Sequence, residues 1–516
     1  SDFLYVTFSK VNADGKALRR SYFAGTLLKM FPEKTVEEIG ETTSADCIMT
    51  PESSMAFFLE GLQDEAWSGE NEKTASGEGQ TEEKLSKPAN KEVWNALAKF
   101  YLSDENWKEE ADRLLKASYV VHSDEPISHA VTQALYGTVL ENSVTRLERF
   151  AACAYAHYLN YGLRLKERQL LEFASVDMGN IYHDALEHFS RRVEKSEYTW
   201  FNIPEDVQET FIEESMDDAI AGCKNAGAFE NVRNRYLTGR MRQTIKRTVW
   251  ALTTQIQKGK FVPSDFEVSF SRADKLDAIR FQLSDEEKMN LLGRIDRVDT
   301  YETSDKVYVK IIDYKSGNTS FSLVNLYHGL QLQLVVYMNA ALELEEKRHP
   351  GKKAEPAGIF YYHIQNPIVD GLGNETEAEI RNSVLEQLKL NGLVNDDPEI
   401  YEAMDSDFAG NSSVIPIGKK TDGSLKATSK VASTYDFSVM SDYVQEKIKE
   451  TGKKIFAGDI SIHPYSLDGK SGCDYCPYHT VCGFDTRMPG YSYHKLEKFD
   501  SADEILKRME NEKQEQ

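Results

Sequence analysis

The chain has 516 residues, 40% hydrophobic and 28% charged, which excludes a disordered or fibrous chain and leaves room for roughly two to four globular cores. A net charge of −23 argues against general coating of nucleic acid, although a local basic patch can still grip phosphates. Six cysteines are too sparse for a disulfide framework and suit metal ligation in a reducing cytoplasm. The longest apolar run, near Leu330 to Leu344, is broken by Gln331, Gln333 and Asn339, so no membrane span is expected.

The chain opens Ser1-Asp2-Phe3 without Met, as a fragment or processed chain would. Residues 1 to about 66 mix a β-rich opening, "FLYVTFSKV", with helical pattern. Ser68 to Lys91 is polar, acidic and Gly/Ser-containing, the composition of a linker or mobile loop. Helical pattern resumes from Glu92 to about Leu140. In "SVTRLERFAACAYAHYLNYGL", Thr145 and Glu148 read as a capping box, apolar residues from Leu147 to Tyr158 recur at helical spacing, and Gly162 reads as the C-cap. Cys153 falls on this helix, one step off its apolar stripe.

A second helix, about Gly179 to Val193, carries His183; taken alone, that is more often a satisfied helical histidine than a ligand. An acidic helix near Pro204 to Ala221 and a long one from Asn231 to Gly259 follow. The long helix carries Arg233, Arg235, Arg240, Arg242, Lys246 and Arg247, with no acidic residue between Asn231 and Ser264. Its buried stripe is Leu237, Met241, Ile245, Val249, Leu252 and Ile256. The basic side chains are either a solvated face or contacts to a phosphate backbone.

"NLLGRIDRVDTYETSDKVYVKIIDYKSG", residues 290 to 317, is two β-rich runs around a polar turn, a hairpin. A turn centred between Ser304 and Asp305 sets Asp296 opposite Asp313, Val298 opposite Ile311, Arg294 opposite Lys315 and Asp299 opposite Lys310. Opposed side chains lie about 5 Å apart, and two carboxylates at that distance share a proton or hold a cation. Oxygen ligands so placed suit Mg²⁺ or Mn²⁺, and Lys315 would face the same ion, placed to orient a water and stabilise charge on a phosphate. A surface hairpin with ordinary acidic residues would show the same letters. Gln333 and Tyr337 share one face of the next helix.

The closing stretch "LDGKSGCDYCPYHTVCGFD" contains a GKS, yet the position where a phosphate loop needs its first glycine is Pro464. Its three cysteines cannot complete a four-thiolate site alone. Zinc could take Cys473, Cys476 and Cys482 with His479; an iron–sulfur cluster would need a fourth thiolate from elsewhere, and Cys153 could supply it. The segment 401 to 434 reads as a hairpin insertion or a flap.

"GNIYH" (Gly179 to His183), "GRIDRVD", "IIDYKSG" and "QLVVY" (Gln333 to Tyr337) stand in the order of the GxxxH, Asp, Asp-x-Lys and QxxxY motifs, and the chain resembles the RecB-type branch of the PD-(D/E)XK nucleases. The resemblance covers roughly residues 143 to 500 and is closer still to the non-motor subunit of a helicase–nuclease. It implies an α/β fold, a mixed central sheet flanked by helices, closed by a four-cysteine iron–sulfur staple and preceded by a smaller helicase-like remnant. Its domains would be 1–142, 143–500 and a C-terminal helix or tail at 501–516. It implies Mg²⁺-dependent (or Mn²⁺-dependent) cleavage of single-stranded DNA, with His183, Asp296 and Asp313 on the ion and Lys315, Gln333 and Tyr337 beside it. It further implies a 4Fe-4S cluster on Cys153, Cys473, Cys476 and Cys482, and an ATP-hydrolysing motor subunit as heterodimer partner at double-strand breaks. Cys47 and Cys223 match no family position. The alternative is a DNA-binding scaffold whose nuclease site has decayed.

Overall fold

A computed structural model describes residues 6–10, 18–36, 49–67, 91–118, 120–166, 168, 175–223, 232–270, 279–369, 375–406 and 408–514. The chain forms two units, Ser1–Val121 and His122–Gln516. The first contains α1 (Tyr22–Met30), α2 (Pro51–Trp67), α3 (Lys91–Ser103) and α4 (Lys108–Ser118). Ser21 starts α1 by accepting a hydrogen bond from the Phe23 N–H. Phe58, Leu62, Tyr101 and Ala111 make a small core between α2, α3 and α4. Residues 6–10 of the expected opening strand belong to no strand. Residues 68–90 of the expected linker, and Cys47, lie outside the described residues.

In the second unit α5 (His129–Tyr136), β1 (Val139–Ser143), α6 (Val144–Ala152) and α7 (Ala154–His157) lead to the helices α8 (Ser175–Lys195), α9 (Glu205–Gly222) and α10 (Val232–Gln257). Then come β2 (Val262–Phe270), β3 (Ile279–Gln282), β4 (Lys288–Glu302), β5 (Lys306–Lys315), α11 (Leu323–Tyr327), α12 (Gln333–Arg348) and β6 (Lys353–His363). The chain continues through α13 (Glu377–Gln387), β7 (Asn391–Asn395), α14 (Pro398–Met404), β8 (Val431–Ala432) and α15 (Thr434–Phe456). It closes with β9 (Tyr465–Leu467), β10 (Lys470–Ser471), α16 (His479–Cys482), β11 (His494–Lys495) and α17 (Ala502–Gln514).

The main sheet runs β1-β4-β5-β6-β7-β8, with β2 and β3 also paired to β4. It is mixed: β4 and β5 are antiparallel, β5 and β6 parallel, β6 and β7 antiparallel. This is the mixed, helix-flanked sheet that the sequence implies. Eight of the ten residues of β5 are buried, the mark of a central strand covered on both faces. Alternation divides them. Val309 and Ile311 pack with Leu334 and Val336 of α12 and Met440 and Val444 of α15. Tyr308, Ile312 and Tyr314 pack with Ile181 and Leu186 of α8 and Ile245, Val249 and Leu252 of α10.

Two local expectations change. Ser143, not Thr145, caps α6 by accepting from the Arg146 N–H at 3.4 Å, and the Glu148 carboxylate leaves its own helix altogether. The predicted continuous helix also breaks at Cys153, whose φ of −170° and ψ of 117° are extended; after α7 the chain makes a π-helical turn over Tyr158–Gly162. The GKS lies in the hairpin of β9 and β10, where Asp468 and Gly469 have φ of 50° and 74°, the left-handed pair of a tight two-residue turn. Residues 408–430 are a packed loop with Val414, Ile415 and Ile417 buried.

Candidate active site at the end of the β4–β5 ladder

The β4–β5 register is the one that the turn position predicts: Val298 faces Ile311 and Asp299 faces Lys310. The ladder's last pair is Arg297 with Ile312; past it the strands part. Asp296 accepts there from the Tyr314 N–H at 2.8 Å. The expected opposition of Arg294 and Lys315 is not formed: Arg294 Nε lies 2.5 Å from Glu267 Oε2.

Two adjoining groups of side chains occupy this opening. In one, His183 Nδ1 from α8 lies 3.4 Å from Asp296 Oδ2 and 3.9 Å from Glu267 Oε1. Potential ligand atoms of His183, Glu267 and Asp296 all fall within 4.8 Å of one another, and they are the only such trio among the described residues. In the other, Lys315 Nζ lies 2.6 Å from Asp313 Oδ2 and donates to Gln333 Oε1 at 3.0 Å. Gln333 Nε2 donates to Asp313 Oδ1 at 2.8 Å and to the Tyr337 hydroxyl at 3.1 Å. The six candidate side chains of the four sequence motifs therefore all stand in one of the two groups.

Charge explains what such a place can hold. Burial pushes the Asp313 carboxyl well above the usual range, and the neighbouring Asp296 charge adds to it. Asp296 moves the same way, again through burial. Burial pulls the His183 imidazole down, but the Glu267 and Asp296 carboxylates outweigh it and hold it above its ordinary value. Clustered buried carboxylates beside an imidazole are a donor set that a small divalent cation would satisfy. His183, Glu267 and Asp296 fit such an ion, whereas Asp313, which the sequence reading places on it, is held by Lys315 and Gln333 in the adjoining group.

No sequence motif marks Glu267. It stands in β2 with φ of 51°, a left-handed conformation unusual for a non-glycine residue, and its carboxylate is 6% exposed. "SDFEVSF" shows only strand alternation, which carries no signal for that kink.

The basic side chains of α10 meet different surroundings. Arg242 lies 2.6 Å from Glu213 and also meets Asp217, while Lys246 lies 2.7 Å from Glu209, so acidic α9 neutralises both. Arg235 and Arg240 are exposed, and Arg247 lies over the Trp250 ring at 5.2 Å. The Arg233 side chain lies outside the described residues.

Cys153, Cys473, Cys476 and Cys482 line one small cavity with Tyr155, Tyr478 and Phe484. Burial pushes the Cys473 thiol up to about 11, and the other three sulfurs add to it. Arg149 directs a guanidinium N–H toward Cys476 Sγ at 3.8 Å, and the Phe484 N–H donates to Cys482 Sγ at 3.4 Å. No three of these sulfurs come within 4.8 Å of one another, so the four thiols are not gathered around a single-ion centre. His479 Nε2 lies 2.7 Å from the Cys473 carbonyl oxygen.

Comparison with known proteins agrees with this geometry. The chain is 33% identical over 503 residues to a subunit of the ATP-dependent helicase/deoxyribonuclease of Lachnoclostridium phytofermentans, covering 96% of this chain and 40% of that protein. The corresponding subunit from Clostridium tetani is 32% identical over 519 residues, covering 100% of this chain and 43% of the relative. The chain thus spans about two fifths of the length of these curated relatives. No helix among the described residues is long and apolar enough to cross a membrane. Residues 141–483 match the model of the PD-(D/E)XK nuclease superfamily, which includes both groups of side chains at the ladder's end, and the chain belongs to that superfamily.

Proposed function

We propose that this chain cleaves phosphodiester bonds of single-stranded DNA, as an exonuclease working within a helicase–nuclease whose motor is a separate ATP-hydrolysing subunit at double-strand breaks. The observation that carries the reading is the meeting of the His183, Glu267 and Asp296 trio with the Asp313–Lys315–Gln333 chain at one strand end.

His183, Glu267 and Asp296 would hold Mg²⁺ or Mn²⁺. Such an ion supplies Lewis acidity toward the scissile phosphate and lowers the pKa of bound water. Lys315 places its ammonium at the rim, where it orients the attacking water and offsets charge developing on phosphate oxygen. Gln333 fixes that ammonium by accepting from it while its amide N–H groups hold Asp313 and Tyr337. Arg235, Arg240 and Arg247 would contact phosphates without reading bases.

The four-cysteine cavity is proposed to hold a 4Fe-4S cluster. The four thiols line one cavity, and His479 engages a backbone carbonyl, which leaves Cys153 as the fourth ligand that the family resemblance implies.

The test is Mg²⁺-dependent cleavage of a labelled single strand by wild type and Asp313→Ala. Cleavage is expected to fall by at least about a hundredfold in the variant with strand binding retained, since the carboxylate that holds Lys315 and Gln333 is lost. Undiminished cleavage refutes the site. A wild-type chain that binds DNA and cuts nothing favours the decayed scaffold instead.

A further inference from the structure

Helix α12 begins without a cap of its own. The residue before it, Leu332, has no side-chain acceptor, although the first N–H groups of any helix need one. The acceptor comes from α6: Glu148 Oε1 takes the Leu332 N–H at 2.8 Å and the Gln333 N–H at 3.2 Å. A carboxylate at a helix N-terminus is also favoured by the helix dipole.

The residue so held is the one that joins the catalytic chain. Gln333 carries three side-chain hydrogen bonds, to Lys315, Asp313 and Tyr337. The amide reaches both Lys315 and Asp313 only while its own backbone stays in place, and a frayed first turn would release it. The next residue of α6, Arg149, turns toward Cys476, and Cys153 ends the helix. One nine-residue helix therefore touches both the catalytic group and the cysteine cavity.

We propose that Glu148 is a positioning residue: from α6 it caps α12, thereby fixing Gln333 and through it Lys315, and it ties the geometry of the catalytic group to the helix that carries Cys153. This rests on the nuclease reading for its catalytic consequence, but the cap itself does not. Glu148 acts here as an acceptor. Because one oxygen takes both N–H groups, the carbonyl of a glutamine can replace it.

The experiment compares Glu148→Met, similar in length without an acceptor, with Glu148→Gln. Two readouts are taken: hydrogen exchange of the amides of Leu332 and Gln333, and kcat and KM for Mg²⁺-dependent cleavage of a single strand. Glu148→Met is expected to lose protection at those amides and to lower kcat about 10- to 100-fold, the usual effect of removing an outer support of a metal site, with KM for DNA within about threefold. Glu148→Gln is expected to restore protection and to bring kcat within about threefold of wild type. If Glu148→Met does not fold, Glu148→Asp takes its place, since it withdraws the oxygens by one methylene, and the same losses are expected. Wild-type kcat in the variant lacking the acceptor, or a Gln variant as impaired as Met, overturns the proposal. Failure of the wild type to cleave, with the exchange difference intact, removes the nuclease reading and leaves the cap standing.

Discussion

His157 is 2% exposed, ringed by Tyr136, Phe150 and Tyr161, and its Nε2 has no hydrogen-bond partner among the described residues. Burial pulls the imidazole down to about 3, with the Arg146 charge adding, so the folded chain keeps it neutral. The unfolded chain takes up a proton near pH 6.5, so this stability is complete above that pH and drains as pH falls toward 3. One proton corresponds to about 1.4 kcal/mol per pH unit inside that window. The gap in unfolding free energy between wild type and His157→Phe should therefore shift by about 1.4 kcal/mol, against wild type, between pH 7.5 and 5.5 in urea titrations. A constant gap would mean that His157 titrates normally. At this scale the sequence is legible where a residue type is demanded by its chemistry. Asp296, Asp313, Lys315, Gln333 and Tyr337 all converge, whereas Glu267 depends on a strand kink and Glu148 on a partner far along the chain, and neither leaves a local trace.

Between β4 and β5 lies a buried triad. Arg297 donates to both oxygens of Asp299 at 2.6 and 2.9 Å, and Lys310 Nζ lies 2.8 Å from the same carboxylate. The sequence marks Asp299 and Lys310 as opposed, in keeping with an ordinary charge pair. Their complete burial with Arg297 comes from the packing of α8 and α10 over that face, which strand alternation alone does not disclose. Two cations share one anion, so the members are not equivalent. Lys310→Met leaves a neutral Arg297–Asp299 pair and should change stability by no more than about 1–2 kcal/mol, whereas Asp299→Asn strands two buried cations and should cost about 3–5 kcal/mol. Denaturant midpoints that reverse this order would show that the charges are not electrostatically linked. The register and the helices α8 to α10 are readable because their periodicity is local. The break at Cys153 is not, because it serves contacts with a segment at the other end of the chain.

Cys153 and the C-terminal triplet bracket everything from α8 to α15, the whole of the candidate site at the end of β4 and β5 included. A cluster across these four sulfurs would act on the unfolded ensemble more than on the folded one, by forbidding the open conformations of a very long loop. In the chain-entropy model such a closure contributes roughly 5 kcal/mol, and less where the unfolded chain keeps structure. The cysteine segment has little regular structure, for β9, β10 and β11 are two or three residues each and Tyr475 is 96% exposed, although Tyr478 packs against Ala156 and Leu159. On the proposed cluster, Cys153→Ala should therefore cost iron and brown colour and lower the denaturation midpoint, although no group at the end of β4 and β5 is altered. Because Cys153 ends the helix that bears Glu148, the same variant should also loosen exchange protection at Leu332 and Gln333. Metal analysis decides the first part: full iron content in Cys153→Ala would remove this cysteine from the ligand set. Zinc in place of iron in the wild type would remove the cluster itself.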